Sequence, residues 1–408
     1  MNCRHCRRPL QHVFIDLGTA PPVNAYLSAA DLQKPEKYYP LRVLVCDACW
    51  LVQAEDYPSA QELFSEDYAY FSSTSASWLK HAERYVGETV ARFALGPQSR
   101  VVEVAANDGY LLQFVKQRGI PCYGIEPTKS TATAARAKGI DIVGEFFGEA
   151  IGRRLAKEGR DADLMAANNV LAHVPDINDF VRGFAALLKP DGVATFEFPH
   201  LVHLVAENQF DTIYHEHYSY LSLTAVTRIF SENGLRIFDV EKVPTHGGSL
   251  RVFAQRTDGG KRPATDAVSD VLTQETKAGV NTLSYYQGFQ PKADGVKNAF
   301  VDYLIKAKAS GLKVAGYGAA AKGTTLFNYG GVRGDLLAYV VDRAEAKQGK
   351  FLPGSRIPIV DEDHLRKDRP DRVVILPWNL KTELTQQLGY IREWGGRFVC
   401  AVPQLSEF

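Results

Sequence analysis

The recurring pattern along the chain is a short apolar run, a tight polar loop and then a helical repeat. Arg100-Val101-Val102-Glu103-Val104 reads as a buried strand, Ala105-Ala106-Asn107-Asp108-Gly109 as the loop, and residues 110–118 as a helix. The pattern then predicts a strand over 122–126, a helix over 129–138, and strands over 140–143, 163–167 and 193–198. Strands that alternate with helices need crossover connections, so these strands are expected to be parallel, in a doubly wound α/β sheet. Upstream, residues 1–60 are rich in turns and proline (Pro21, Pro22, Pro35, Pro40, Pro58), and residues 62–93 read as helical and unusually aromatic. Downstream, Asp258-Gly259-Gly260-Lys261-Arg262-Pro263 reads as a linker and 265–310 as a long helical region. A second strand–loop–helix unit then begins at Lys313, with further strands over 337–341 and 372–376. The expected organisation is a small module over 1–60, a larger α/β domain over 61–257 and a second, Rossmann-like α/β domain over 258–408.

Composition narrows the function classes. The 408 residues suffice for two or three domains at roughly 150 residues each. Lysine plus arginine and aspartate plus glutamate both number 47, a net charge of zero. That balance argues against a dedicated nucleic-acid binder, which needs clustered positive charge. No apolar run reaches bilayer length, and the N-terminus lacks the apolar core of a secretory signal, so a cytoplasmic location is expected.

The cysteines are clustered. Cys3-x2-Cys6 and Cys46-x2-Cys49 form two matched knuckles, the four soft thiolates of a tetrahedral structural Zn2+ site. Arg4, His5, Arg7 and Arg8 would favour the thiolate form. The alternative, two redox pairs, is disfavoured by a reducing compartment. Cys122 and Cys400 sit in apolar surroundings and are expected to be buried spectators.

In an open parallel sheet, ligands bind beyond the carboxyl ends of the strands, where Glu103 to Gly109 falls. This loop departs from the dinucleotide glycine fingerprint, with Ala105 and Asn107 where glycines would stand. Glu126, ending the next strand, is placed to accept hydrogen bonds from ribose hydroxyls. A methionyl-adenosine cofactor has no pyrophosphate and does not need the full glycine set, which favours S-adenosylmethionine over NAD. The bland alternative is a buried βαβ unit with a surface glutamate. Residues 163–176, with Asn168, Asn169 and His173, and Leu188-Lys189-Pro190-Asp191-Gly192 weaken it, because both resemble segments of class I methyltransferases.

Taken together, the chain resembles the nucleotide-sugar C-methyltransferases, which make branched-chain deoxysugars, as in C3-methylation of TDP-sugars. The resemblance spans nearly the full length. Its most specific motif is Ile213-Tyr214-His215-Glu216-His217-Tyr218-Ser219-Tyr220. It is joined by Asp67-Tyr68-Ala69-Tyr70-Phe71-Ser72-Ser73, His246-Gly247-Gly248-Ser249-Leu250-Arg251 and Gly316-Tyr317-Gly318-Ala319-Ala320-Ala321-Lys322-Gly323. Methylating a sugar carbon needs a base to form an enolate beside a keto group, and donors for the developing oxyanion. The resemblance implies His217 as the base, Tyr214, Tyr68 and His173 around the sugar, and Glu216 positioning the sugar or a histidine. His215 belongs to the same motif, although strict alternation would put His215 and His217 on one face and Tyr214 and Glu216 on the other. The implied cofactor set is Glu103, Ala105, Asn107, Asp108, Gly109, Glu126, Phe146, Asn168 and Asn169.

For the substrate, Tyr70, His246, Gly318, Lys322, Gly323, Asp342 and Asn379 are the candidates. The glycine loop and Lys322 read as a phosphate cradle, and Lys347 and Lys350 as solvated charges. The plainer alternatives are a capping histidine at position 173, a core role for Tyr68 or Tyr70, and a C-terminal domain that only dimerises. A metal at the histidine motif is a further rival, with His200 and His203 nearby, although the spacing is not His-Glu-x-x-His. The expected activity is C3-methylation of a 4-keto-deoxysugar nucleotide, with C5-methylation or non-catalytic binding as alternatives. The expected partner is the sugar nucleotide, with neither nucleic acid nor membrane.

Overall fold

A computed structural model of the chain describes residues 1–57 and 71–408. Tyr68 and Tyr70 lie outside the described residues. Three sheets organise the rest. The first is antiparallel and joins His12–Ala20, Tyr39–Val45 and Val52–Ala54. Its fourth strand, Ser219–Tyr220, comes from the end of the Tyr-His-Glu-His motif and pairs with Val52–Ala54. At one end of this sheet the four thiolates of Cys3, Cys6, Cys46 and Cys49 lie within 4.8 Å of one another. A tetrahedral zinc would place its sulfurs about 3.8 Å apart, so the donor set fits the ion. Among the described residues it is the one group of three or more metal-ligating side chains able to hold a metal.

The second sheet has seven strands. Five are parallel as the alternation predicts: Leu188–Pro199, Ala162–Asn168, Val101–Val104, Cys122–Ile125 and Asp141–Val143. The other two are a correction to the all-parallel expectation. Leu235–Val243 and Ser249–Arg256 form an antiparallel hairpin on the edge beside Leu188–Pro199. A connection as short as residues 244–248 cannot join parallel strands, so the hairpin follows from its turn. Its Gly247 and Gly248 have φ of +88° and +107°.

The third sheet is mixed: Val314–Tyr317, Val340–Val341, Arg372–Ile375, Ile359–Val360 and Arg397–Cys400 run parallel, and Ser406–Glu407 closes it antiparallel. The helical stretch before it divides into Asp266–Ala278, Leu283–Gln287 and Phe289–Ala309, the first ending at Gly279 with φ +96°. The aromatic helix runs over Ala76–Arg92, capped by the Ser75 hydroxyl on the Trp78 amide. No helix among the described residues is long and apolar enough to cross a membrane.

The N-terminal module is wedged into the molecule. One apolar cluster runs from Phe14, Leu41 and Val43 through Leu201, Phe210 and Ile213 to Phe300, Phe327 and Leu352. Phe14 stacks on Phe289 at 4.6 Å. Cys3, Cys46 and Cys49 join the central core beside Leu223 and Phe230. Truncating a buried ring of this kind costs about 3–5 kcal/mol. Removing the metal with a chelator is therefore expected to lower Tm by about 10 °C or more, since a structural zinc contributes on the order of 10 kcal/mol. Methyl transfer should fall in step with zinc content. A zinc-free chain with unchanged Tm and turnover would show that the metal does not staple the fold.

Candidate active site

The carboxyl ends of the central strands open on a cleft of about 660 Å³, within the range of small-molecule sites. All three parts of the chain line it: Asn24 and Tyr26 from the N-terminal module, the loops of the central sheet, and Lys322 and Asn379 from the C-terminal sheet.

One wall is the loop after Val101–Val104. Ala105 and Asn107 both line the cleft and both have positive φ, +55° and +49°, followed by Gly109 at +75°. The two non-glycine residues thus adopt the backbone that glycines would supply, a local strain of order 1–3 kcal/mol each that clusters at functional sites. Glu126 Oε2 accepts from the Asn107 amide and Oε1 from the Thr128 amide, both at 2.9 Å. Burial pushes the Glu126 carboxyl up, and these hydrogen bonds oppose the shift. The Thr128 and Thr131 hydroxyls hydrogen-bond the same carboxylate. Phe146, 49% exposed, offers its ring to the same cleft, with Asn168 and Asn169 alongside. Asn169 Oδ1 is buried with no partner while Nδ2 meets His246 Nε2 at 2.8 Å. An acidic acceptor, an apolar ring and an unpaired buried carbonyl fit a nucleoside with polar substituents, as S-adenosylmethionine is.

Glu103, Asp108 and Gly109 shape this loop from beneath and do not line the cleft. Glu103 is fully buried against Tyr110, and burial holds its carboxyl well above the ordinary range. Asp108 accepts the Ser73 amide at 3.2 Å and lies 3.6 Å from Lys138. Gly109 has φ of +75°, a backbone that L side chains rarely adopt, and a Cβ there would also displace the tip of Ile140, 2.4 Å away.

The second wall is the Tyr-His-Glu-His segment, which bends where strict alternation would keep it extended. The His217 amide donates to the Tyr214 carbonyl at 2.9 Å, closing a turn. Tyr214, Glu216 and His217 therefore line the cleft together, and His215 turns away, its Nε2 3.1 Å from the Pro40 carbonyl. The His217 ring lies 4.0 Å from Tyr214 and 4.6 Å from His173. Its Nδ1 donates to the Thr212 carbonyl at 2.7 Å, which leaves Nε2 as the acceptor nitrogen of a neutral ring. Burial and the neighbouring His173 hold His217 well below the ordinary histidine value of 6.5. Burial likewise brings His173 and His246 down to about 4. The His173 ring hydrogen-bonds the Glu216 backbone. His200, by contrast, pairs with buried Glu275 at 2.7 Å, outside the cleft.

Behind this wall lies a buried polar network not singled out from the sequence. Glu197 accepts from Arg251 at 2.9 Å and Thr245 at 2.7 Å, and pairs with His81 at 2.8 Å. Burial raises its carboxyl, but these partners win and bring it down to about 2. Thr245 fixes the turn that carries His246, whose ring meets the edge of Trp78 at 5.2 Å. Arg251 lies within the His246–Arg251 motif and Trp78 within the aromatic stripe, so the sequence carries both signals without their partners.

At the C-terminal sheet, Lys322 Nζ donates to Asn379 Oδ1 at 2.8 Å and stands 4.0 Å above the Trp378 ring. Burial brings the Lys322 ammonium down to about 8, with buried Asp211 opposing. Asp211 accepts the Trp378 indole N–H at 2.8 Å, and burial pushes its carboxyl up to about 7. Gly318 and Gly323 pack against Pro377 and Leu376, leaving no room for a Cβ, and neither lines the cleft. Asp342 points inward, accepting the Ala319 and Ala344 amides at 2.8 Å each. Lys347 corrects the expectation of a solvated charge: it is mostly buried, donates to Asp342 and the Ala319 carbonyl, and lines the cleft.

The five-stranded parallel run, its antiparallel edge hairpin and the cofactor loop define a class I methyltransferase. Three protein-family models match in chain order: a zinc binding domain over residues 3–64, a methyltransferase domain over 78–240 and a C-methyltransferase C-terminal domain over 244–403. The C-methyltransferase NovU of Streptomyces niveus is 34% identical over 98% of this chain and 95% of its own length. A ubiquinone biosynthesis O-methyltransferase of Bordetella avium (strain 197N) is 29% identical over 24% of this chain and 41% of its own. Among solved structures, the PH0226 protein of Pyrococcus horikoshii OT3 is a loose likeness: TM-score 0.39, 14% identity, over 50% of this chain and all of that one. The chain belongs to the family of S-adenosylmethionine-dependent C-methyltransferases.

The depressed histidines predict a pH dependence. A base must be unprotonated, and a pKa lowered below 6.5 keeps it so to lower pH. The acid limb of kcat/KM, which reports the free enzyme, should have its midpoint below pH 6.5. A limb at or above that value would exclude a buried neutral histidine as the base.

Proposed function

We propose that the chain transfers the methyl group of S-adenosylmethionine to C3 of a 4-keto-deoxysugar nucleotide, TDP-linked, by way of an enolate. When bound, the cofactor supplies an electrophilic methyl on a sulfonium. His217 takes the C3 proton on Nε2, the C3–H electron pair forms the enolate, and its carbon bonds the methyl as the methyl–sulfur bond breaks, its electron pair returning to sulfur to leave S-adenosylhomocysteine. The observation that carries this reading is the His217 tautomer: Nδ1–H is held by the Thr212 carbonyl, and the ring stands in the cleft between Tyr214 and His173. Tyr214 and His173 contribute donors and shape around the sugar, and Glu216 a carboxylate for a sugar hydroxyl.

Lys322 and Asn379, at the C-terminal edge of the same cleft, are read as contacts for the diphosphate end. The Lys322 ammonium, weakened by burial, gains from an anionic neighbour. We divide the chain accordingly into a zinc module over 1–60, a methyltransferase domain over 61–257 and a nucleotide-sugar-binding domain over 258–408.

The test is a mass-spectrometric assay with S-adenosylmethionine and TDP-4-keto-2,6-dideoxyglucose. One added methyl is expected, with NMR placing it on C3; a methyl on C5 would correct the position. Bound cofactor with no methylated product would overturn the substrate. His217→Ala should lower kcat about 100-fold or more with unchanged cofactor affinity, and near-normal turnover would remove it as the base.

A further inference from the structure

We propose that Asn24, carried by the zinc-bearing module, is a positioning residue of the reaction, holding the Glu216 carboxylate in place across the cleft. The proposal rests on the reading that Glu216 acts on the sugar. Asn24 Nδ2 donates to Glu216 Oε1 at 2.7 Å, and both residues line the cleft. Glu216 is 2% exposed. A carboxylate removed from water needs donors to stay ionised and to keep one orientation. A carboxamide is well matched to this role. Its N–H end carries no charge to neutralise the acid, and it fixes the direction of one carboxylate oxygen.

The backbone around Asn24 is clamped. Pro21 and Pro22 restrict the approach, Val23 is buried at 1%, and the Leu27 amide and carbonyl bond Phe351 at 2.9 and 2.8 Å. The Tyr26 hydroxyl donates to the Ala319 carbonyl at 2.7 Å and stands 3.4 Å from Asn24 Oδ1, the end of the carboxamide that faces away from Glu216. The segment between the two cysteine knuckles thus reaches both the catalytic loop, through Asn24, and the glycine loop of the C-terminal sheet, through Tyr26. Its placement gives the long gap between the knuckles a role in the site, beyond connecting zinc ligands.

The test compares Asn24→Ala, Asn24→Asp, Glu216→Gln and the double variant Asn24→Ala/Glu216→Gln in the same methyl-transfer assay. Zinc content, Tm and cofactor affinity are measured on each. The expectation is a loss in kcat of about 10-fold or more in Asn24→Ala, with those three properties unchanged. The nearly isosteric Asn24→Asp should be at least as slow, because it replaces the donor with a like charge. The double variant should be no slower than Glu216→Gln alone, since Asn24 acts through Glu216. Wild-type kcat in Asn24→Ala beside a slow Glu216→Gln would overturn the proposal and leave the reading of Glu216 standing. So would Asn24→Asp milder than Asn24→Ala, the mark of a space-filling role, or independent losses that multiply in the double variant. Wild-type turnover in Glu216→Gln would overturn both.

Discussion

Two backbone pairings, Val52 with Tyr220 and Gln53 with Ser219, fasten the Tyr-His-Glu-His segment to the cysteine-bearing sheet. The rest of the site depends on them. With residues 219 and 220 held as a strand, the preceding residues must turn, and the turn sends His217, Glu216 and Tyr214 into one cleft while His215 is drawn to the Pro40 carbonyl. The four thiolates sit beside these pairings: Cys46 follows Val45, the other partner of Val52, and Gln53 Nε2 donates to Cys3 Sγ at 3.3 Å. A metal held by these thiolates would steady the strand that carries the proposed site residues, as supporting interactions do when they lock an active side chain into one rotamer.

Electrostatics in the cleft follow from burial more than from pairing. Three histidines, His173, His217 and His246, lie where water is scarce, and each is driven toward its neutral form. A neutral imidazole offers one N–H donor and one acceptor nitrogen without bringing charge to the site. The opposite arrangement lies just behind them: Glu197 is buried but satisfied by Arg251, His81 and Thr245, and stays an anion. Removing one partner from such a network leaves an unpaired buried charge, which is why it gives the wall rigidity.

Much of the fold was legible because alternating strands and helices leave a strong periodic trace. The five parallel strands, the cofactor loop and the second α/β unit all follow from it. The hairpin of Leu235–Val243 and Ser249–Arg256 did not, since both strands are largely buried and show no clean alternation. Within the site, Ala105 and Asn107 were legible as glycine substitutes from their spacing, and their positive φ agrees with it. Glu103, Asp108 and Asp342 were expected at the ligand but face the protein, a distinction of side-chain direction that sequence does not carry. Asn24 and Asp211 went unmarked because their partners lie far along the chain and meet them only on folding, and Lys347 was read as a solvated charge because its burial in the cleft is set by the fold.

The apolar cluster that runs unbroken from Phe14 to Leu352 has a consequence for recombining such enzymes. Exchanging the C-terminal region for that of a relative would cut through a shared core and expose mismatched surfaces on both pieces. The Phe14–Phe289 stack and the Leu27–Phe351 ladder would have to be matched across the join. In this chain the three regions share one interior, and none can be exchanged apart from the scaffold that frames it.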